Sequence, residues 1–488
     1  MLPDSYDPYN SDSFESMPVI KNIYAPLVST FLDGKPQGMI AESWTISQDG
    51  KTWSFKIKKG LVFSDGTPIT PVVVLQSFRR ILWLTRRSGL ALNHAISEVA
   101  EWSDYAAPLK SLYIDKDSLV FKFTTQPEDL FESLEKPLYA IINPVCFDEK
   151  GIWKEKQCLY ESGQYKIAGQ APGKIILQNR HVYPEAPHAP ETVEFISKTY
   201  STKTRLDWAI ENRTEILLSG NLALGKSELK KISDAGYKTL YEPPLRMQFL
   251  RLNHNRAPFN DKVLRQSIRD TFLSLLANDP DFVSETELNP SFVPPGGMGY
   301  IQIAPPARPV KYPDLKGLKI KAFTLESNPP DKPQTKLEKY RKALETALYK
   351  TMELHNIKLD ASRDYAGFDE IIRRGDFDLM FTGSGLSVQE PYEALRMMFM
   401  SDVGAKIPDP SGLIPGYILK GLASQEPAIR KQYAEKINRT IFTEAAAITY
   451  THTGLVYVYS PEVDMSHLNT FSDPIEFRAV SWAAGSAK

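Results

Sequence analysis

The chain has 488 residues, of which 42% are hydrophobic and 24% are charged, and its 58 basic and 59 acidic residues leave a formal net charge of −1. This length exceeds what one hydrophobic core supports, so two or three domains are expected. The balanced charge excludes the electrostatic footprint of a nucleic-acid-binding or anionic-membrane-binding protein. No apolar run approaches the roughly 18 residues that span a bilayer.

The amino-terminal residues 1–4 carry neither the basic region nor the apolar region of a signal peptide. Two interpretations stay open at this point: a cytosolic protein, or a secreted protein whose signal segment is not part of this chain. Residues 16–27 follow, with Val19, Ile20 and Ile23 at helical spacing. This spacing predicts an amphipathic helix.

Residues 39–57 predict a short amphipathic turn over 39–44 and then a β-hairpin. Both 44–46 and 52–57 alternate apolar and polar residues, and Asp49-Gly50 lies between them. Asp-Gly between alternating runs favours a hairpin because glycine accepts the positive φ of a tight turn. A second such turn at Asp65-Gly66 leads into a helix predicted from about Pro71.

Residues 112–123 predict a second hairpin, and 127–136 a helix that ends before Pro137. Hairpins and helices without strand–helix–strand alternation indicate a small α+β unit over 38–158. Cys146 and Cys158 are the only cysteines and lie 12 positions apart. A disulfide that contributes about 3 kcal/mol and a pair of free buried thiols are both consistent with this spacing.

The rest of the chain predicts further strands and helices with apolar faces. Residues 258–261 predict a turn and a helix N-cap, with Asn260 or Asp261 accepting from the first amides of the helix that follows. The predicted strands cover 175–177, 192–196, 247–253, 318–325, 356–359 and 375–381, and the predicted helices cover 202–211, 336–355, 368–374 and 428–442.

Two stretches resemble the signature of the family-5 extracytoplasmic solute-binding proteins, the peptide, nickel and sugar receptors of ABC importers. Residues 39–78 read MIAESW, DGKTWSF and FSDGTPIT in the order of the family's L-A-E-S-W, D-G-K-T-W-T-F and F-S-D-G-T-P-L-T. Residues 245–268, which read LRMQFLRLNHNRAPFNDKVLRQSI, resemble its Y-x-x-x-N-x-x-x-P-F-x-D-x-R-V-R-Q-A-I pattern. The segment at 161–167 resembles the family's crossover, with Ser162 and Gln164 in place of Thr and Pro.

The resemblance implies a mixed α/β (α+β) fold of the two-lobed periplasmic-binding-protein type II kind, with an additional α+β insert. The first lobe is expected to combine 1–37, 159–244 and 456–488, the insert to cover 38–158, and the second lobe 245–455. It also implies that two lobes close over a solute held in the cleft between them. We expect a monomer that binds a small molecule or peptide and contacts a membrane ABC permease transiently, without nucleic acid and without a cofactor.

The sequence shows no motif of a hydrolase, metalloprotease or nucleotide-binding enzyme, and its seven histidines are scattered rather than spaced as metal ligands. The expected function is therefore not enzymatic, and no metal site is predicted. The resemblance favours a periplasmic or extracytoplasmic location, with a lipid anchor left open.

The resemblance also indicates which residues line the pocket. By position in the family pattern, Ser387 stands where peptide receptors carry the aspartate that pairs with the ligand's ammonium group, and Ser384 stands at an aromatic position. We therefore expect Glu390 or Asp12 to replace that carboxylate, or a ligand that is not an ordinary free peptide. The candidate ligand-binding residues are Asp12, Ser13, Phe14, Arg246, Gln248, Ser384, Gly385, Ser387, Glu390, Tyr450 and His452.

Two functions remain open from the sequence. The first is a solute-binding protein that delivers a peptide-like or other small polar solute to an ABC permease. The second is a chaperone-like, sensory or assembly protein that keeps the fold with a remodelled cleft, motivated by the serines at 384 and 387.

Overall fold

A computed structural model describes residues 3, 5–10, 16–30, 35–86, 91–127, 130–155, 158–196, 202–220, 224–310, 312, 314–324, 336–362, 371–372, 374–385, 391–400, 406–424, 426–468 and 475–484. The chain divides into two compact units. Unit 1 comprises Met1–Glu215 and Tyr459–Lys488, and unit 2 comprises Ile216–Val458.

Helices and strands are distributed over both units. The helices are α1 Met17–Ile23, α2 Pro71–Leu84, α3 Ala91–Ala95, α4 Glu98–Glu101, α5 Leu130–Leu134, α6 Thr202–Glu211, α7 Lys226–Asp234, α8 Lys262–Ala277, α9 Pro280–Glu285, α10 Lys336–Leu354, α11 Tyr392–Met400, α12 Ile414–Leu422 and α13 Pro427–Glu444. The strands are β1 Val28–Ser29, β2 Gln37–Gly38, β3 Ala41–Ile46, β4 Thr52–Ile57, β5 Leu112–Asp115, β6 Ser118–Lys122, β7 Tyr165–Ala171, β8 Lys174–Asn179, β9 Thr192–Ile196, β10 Ile216–Gly220, β11 Lys238–Tyr241, β12 Arg246–Leu252, β13 Leu318–Phe323, β14 Ile357–Ser362, β15 Leu379–Gly385, β16 Ile448–Thr453, β17 Leu455–Tyr459, β18 Val463–Asp464 and β19 Ser481–Trp482.

Unit 1 contains the predicted hairpins in one sheet of strand order β3-β4-β6-β5. Gly50 takes the left-handed conformation at the β3–β4 turn, with φ of 70°. Phe55 and Phe121 project from this sheet into a core that α2 covers with Phe78. The prediction of a turn over 39–44 is wrong from Ala41 onward. Strand β3 begins at Ala41 because its backbone pairs with β4.

A disulfide joins Cys146 and Cys158, with a Cα–Cα distance of 5.6 Å. This finding selects the bridged interpretation over two free thiols. Inside the loop, Phe147 and Trp153 form an antiparallel bridge, and the Lys154 amide donates to the Cys146 carbonyl at 2.9 Å. Residues 146–154 of the loop therefore have a hairpin-like backbone, and the disulfide adds a covalent closure.

The crossover segment 161–164 is held tightly within unit 1. Arg180 donates from Nη1 to the carbonyls of Glu161 and Gly163, at 2.7 and 2.8 Å, and the Gly163 amide donates to the Ile23 carbonyl at 2.8 Å. A Cβ atom at Gly163 would lie 2.6 Å from the Asn22 carbonyl oxygen. Close backbone approach therefore requires glycine here.

Replacing Gly163 by Ala is expected to lower the free energy of unfolding by about 1–3 kcal/mol, because the added methyl group must displace the backbone of α1. Urea unfolding measures the change. The control is Gly416→Ala in α12, where a Cβ atom meets nothing within 4 Å and alanine favours the helix by up to about 1 kcal/mol. A wild-type midpoint for the Gly163 variant would contradict this account of the crossover.

Unit 2 is built on a five-stranded sheet of order β14-β13-β15-β12-β16. Apolar residues of α8 and α10 pack with Leu250 and Ile320 in one core cluster. Residues of α11, α12 and α13 pack with Met247 and Phe249 in another. A separate three-stranded sheet has the order β10-β17-β11.

The compact units do not divide the chain where the sequence analysis drew its lobes. Residues 216–244 group with the second unit, whereas the predicted first lobe extends to 244, and residues 38–158 group with the first unit. The three-segment division stays a prediction. No helix in the described part of the chain is long and apolar enough to cross a membrane.

Candidate functional site

The predicted site residues of unit 2 lie at one edge of its five-stranded sheet. β13 is parallel to β14 and β15, whereas β12 is antiparallel to β15 and β16. The carboxyl ends of β13, β14, β15 and β16 therefore lie at the same edge, where β12 begins. We call it the carboxyl edge. In open α/β sheets, ligands bind at the carboxyl ends of the parallel strands.

Strand pairing brings residues that are far apart in sequence together at the carboxyl edge. Arg246 at the start of β12 pairs with Gly385 of β15 and with Thr453 of β16. In the next row, Met247 pairs with Ser384 and His452. Five of the predicted residues, Arg246, Gln248, Ser384, Gly385 and His452, are thus gathered within three rows of the sheet.

The Gln248 side chain links β12 to β16 at the carboxyl edge. Its Nε2 donates to the Thr453 Oγ1 at 3.1 Å. Its backbone partner on β15 is Gly383, where a Cβ atom would lie 2.8 Å from the Gln248 Nε2. The glycine at 383 therefore leaves the space that the Gln248 amide occupies, and this amide is placed by strand pairing and one hydrogen bond.

Arg246 belongs to a charged group with Glu242 and Tyr457. Its Nη1 lies 3.2 Å from the Glu242 Oε2, and the Tyr457 hydroxyl donates to the Glu242 Oε1 at 3.0 Å. The Glu242 side chain is only 4% exposed, whereas that of Arg246 is 25% exposed. The buried carboxylate fixes a guanidinium that is still partly accessible to solvent.

His452 is buried, and burial lowers the pKa of its imidazole to about 4. The ring is therefore neutral at physiological pH. Ser384 is half-buried and Gly385 is exposed at the end of β15. The accessible part of the carboxyl edge thus combines a hydroxyl, side-chain-free backbone and one guanidinium.

Tyr450 does not lie at the carboxyl edge. Its side chain is 2% exposed and its ring contacts Phe272 and Phe381, with centroid distances of 5.9 and 6.1 Å, in the core of unit 2. Packing in the core of unit 2 therefore explains the burial of the Tyr450 ring.

The other predicted site residues, Asp12, Ser13, Phe14, Ser387 and Glu390, lie outside the described residues, as does most of the helix predicted over 368–374. The structure does describe the segment that leads to the first three. Asp7 at its start accepts hydrogen bonds from both Nη atoms of Arg80, at 2.9 and 2.7 Å.

Sequence reasoning missed Glu242, Thr453 and Tyr457. Thr453 meets Gln248 only through the pairing of β12 with β16, which lie some 200 residues apart in the chain. Glu242 carried one local signal, an acidic residue four positions before an arginine. That spacing indicates an ion pair only on a helix. Here Glu242 precedes a strand and Arg246 begins it.

The carboxyl edge offers hydrogen-bond donors and acceptors rather than reactive groups. Among the residues that the structure describes, no three or more His, Cys, Asp or Glu side chains come together as a metal-binding group. An arginine fork binds a carboxylate or a similar anion in two-point fashion, and an amide and a hydroxyl suit polar uncharged groups. The arrangement is suited to holding a small polar molecule.

Comparison with known proteins gives a family match. Residues 35–272 match the family model described as bacterial extracellular solute-binding proteins, family 5 Middle. This match includes both stretches that carried the resemblance in the sequence.

Individual relatives agree with the family match. The chain is 28% identical over 281 residues to the probable D,D-dipeptide-binding periplasmic protein of Escherichia coli strain K12, covering 54% of this chain and 50% of that protein. It is 24% identical over 250 residues to the nickel-binding periplasmic protein of the same strain, covering 50% and 45%. The chain thus spans about half the length of the curated relatives it matches.

A solved structure shows likeness over nearly the whole chain. OppA of Haemophilus influenzae in complex with RPPGFSPFR superposes with a TM-score of 0.79 at 17% identity, covering 98% of this chain and 97% of that one. At this identity the likeness shows the fold alone. It confirms the predicted fold class, a mixed α/β fold of the periplasmic-binding-protein type II kind.

Proposed function

We propose that this chain, which belongs to the family-5 bacterial extracellular solute-binding proteins through residues 35–272, captures a small polar solute outside the cytoplasm and delivers it to a membrane ABC permease. The observation that carries the proposal is the gathering of Arg246, Gln248 and Ser384 at the carboxyl edge. Its relatives are described as binding proteins, so the solute is expected to leave chemically unchanged.

A peptide-like solute suits the carboxyl edge best. The partly exposed Arg246 guanidinium provides a fork for a carboxylate, and Gln248 and Ser384 provide the neutral polar groups that an amide needs. Nickel, named for one relative, is not our first choice, because the described residues include no group of three or more metal-ligating side chains.

The resemblance supports the finer parts of the proposal. We expect a monomer that closes on its solute and then contacts the permease transiently. Closure requires that the solute bind the closed form more tightly than the open form. A chaperone-like or sensory role on the same fold is not favoured, since the relatives reported above are described as solute-binding proteins.

Replacing Arg246 by Gln is expected to weaken solute binding by about 10- to 100-fold, the effect of losing a hydrogen bond to a charged group. Isothermal titration with the bound solute measures the change. The matched control is Arg256→Gln, which also removes an arginine from an ion pair in unit 2, here with Asp378 at 2.6 Å. Arg256 lies beyond the opposite end of β12 and should leave affinity unchanged. Equal losses in both variants would argue against a site at the carboxyl edge.

Native mass spectrometry of gently purified protein identifies the solute. We expect a mass excess of a few hundred daltons that disappears on denaturation, with the released compound intact. If no panel of peptides, sugars and cell-extract solutes restores a mass excess after the protein has been unfolded and refolded, solute capture is the wrong function.

A further inference from the structure

Asp7 organises the described start of the chain through one buried carboxylate. Both of its oxygens accept from Arg80, at 2.9 and 2.7 Å, and both side chains are no more than 3% exposed. The same carboxylate accepts from the Tyr9 amide at 3.1 Å and from the Asn10 Nδ2 at 3.0 Å. The turn over 8–10 therefore depends on where Arg80 holds Asp7.

Arg80 is held in turn by the disulfide loop, residues 146–158. Its Nε donates to the Gly151 carbonyl at 2.8 Å. Its guanidinium lies against the rings of Phe147 and Trp153, at 5.5 and 5.1 Å from their centroids. The described hydrogen bonds of this guanidinium therefore go to Asp7 and to the disulfide loop.

The disulfide fixes the part of the loop that touches Arg80. Phe147 follows Cys146 directly and pairs with Trp153, and the bond to Cys158 closes the loop behind both rings. A covalent closure restricts how far such a loop can open. Breaking the bond leaves only backbone hydrogen bonds and packing to hold the rings on the guanidinium.

We propose that the disulfide loop positions residues 5–10 through Arg80 and Asp7, so that the turn over 8–10 depends on the disulfide. This coupling does not rest on the proposed function.

The coupling makes the turn sensitive to reduction by a dithiol. Dithiothreitol transfers two electrons and two protons to the bridge, the Sγ–Sγ bond breaks, Cys146 and Cys158 become thiols, and the reductant leaves as its cyclic disulfide. The loop then opens more often, and the hydrogen bonds between Arg80 and Asp7 break more often as a result.

Amide hydrogen exchange of the full chain tests this coupling. In the oxidised wild-type protein, the amides of Tyr9 and Asn10 donate to the Asp7 Oδ1 and to the Asp7 carbonyl. We expect them to exchange about tenfold faster or more after reduction, in the Cys146→Ser/Cys158→Ser variant and in Arg80→Lys, which keeps the charge but loses the fork.

The matched control is Arg79→Lys, one position earlier on α2. Arg79 donates to the Ala107 carbonyl at 3.0 Å and lies against the rings of Trp102 and Tyr105, and among the described residues it makes no hydrogen bond to the disulfide loop. The Arg79→Lys variant should change the amide exchange rates of Tyr9 and Asn10 by less than twofold. Amides of α8 report whether any variant has lost global stability.

Two results overturn the proposal. One is faster exchange within 147–154 after reduction while Tyr9 and Asn10 keep their rates. The other is an equal effect of Arg79→Lys and Arg80→Lys. The experiment uses no solute, so its failure is distinct from failure of the proposed function.

Discussion

Replacing Glu476 by Gln is expected to lower the free energy of unfolding by about 3–5 kcal/mol, the usual cost of leaving a buried charge without its partner. Glu476 accepts from Arg478 at 2.5 Å and lies 3.2 Å from the Lys21 Nζ. All three side chains are no more than 6% exposed. The variant keeps the shape of the side chain but removes the Glu476 carboxylate from two buried cations.

The cluster of Glu476, Lys21 and Arg478 also makes the free energy of unfolding depend on pH. Burial by itself raises the pKa of Glu476, but the charges of Arg478 and Lys21 outweigh burial and lower the pKa to about 2, below the ordinary value of 4.5. A carboxylate with a depressed folded pKa contributes stability above the unfolded pKa. This contribution is lost as pH falls from about 4.5 towards 2.

Urea unfolding at pH 7, 5 and 3 measures both effects. The wild-type protein should lose stability between pH 5 and 3 more steeply than Glu476→Gln does. The control is Glu194→Gln, which breaks an exposed pair with Lys174 and should cost less than about 1 kcal/mol. A cost below about 1 kcal/mol at position 476, or the same pH dependence in Glu476→Gln as in the wild-type protein, would show that Lys21 and Arg478 do not stabilise a Glu476 carboxylate.

Replacing Asp7 by Leu is expected to cost about 3–5 kcal/mol, because the Arg80 guanidinium then stays buried without a counter-charge. The effect should be measured by urea unfolding at pH 7. Asp117→Leu is the control, since its pair with Lys59 is exposed, and it should change stability by less than about 1 kcal/mol.

The double variant Asp7→Leu/Arg80→Met separates the ion pair from packing. It replaces both charges by apolar side chains, and such replacements often restore stability. We expect it to be more stable than Asp7→Leu alone. Urea unfolding of Arg80→Met alone completes the comparison. A double variant whose loss of stability equals the sum of the losses in Asp7→Leu and Arg80→Met would mean that the buried charges do not interact as the structure indicates.

Local signals predicted the elements whose formation is decided within a few residues. The β3–β4 hairpin was predicted because Gly50 must take a positive φ. A cap at Asn260 or Asp261 was predicted because such side chains accept from the first amides of a helix, and Asp261 accepts from the amides of Val263 and Leu264. The start of β3 was missed, because Ala41 becomes a strand residue only through pairing with β4.

The candidate site was predicted in part for the same reason. Arg246 and Gln248 were found through a family pattern that lies within one stretch of sequence. Glu242 and Thr453 were not found, because their contacts with Arg246 and Gln248 are made by strands that meet only in the folded sheet. Tyr450 was named as a candidate because it lies where the chain is expected to return to the first lobe, but its ring packs in the core.

Small-angle X-ray scattering with and without the solute identified by native mass spectrometry tests the central claim most directly. If the protein is a receptor that closes on its solute, saturating solute lowers the radius of gyration, and Arg246→Gln requires about 10- to 100-fold more solute for the same change. A solute that binds stoichiometrically and leaves the radius of gyration unchanged would contradict the account.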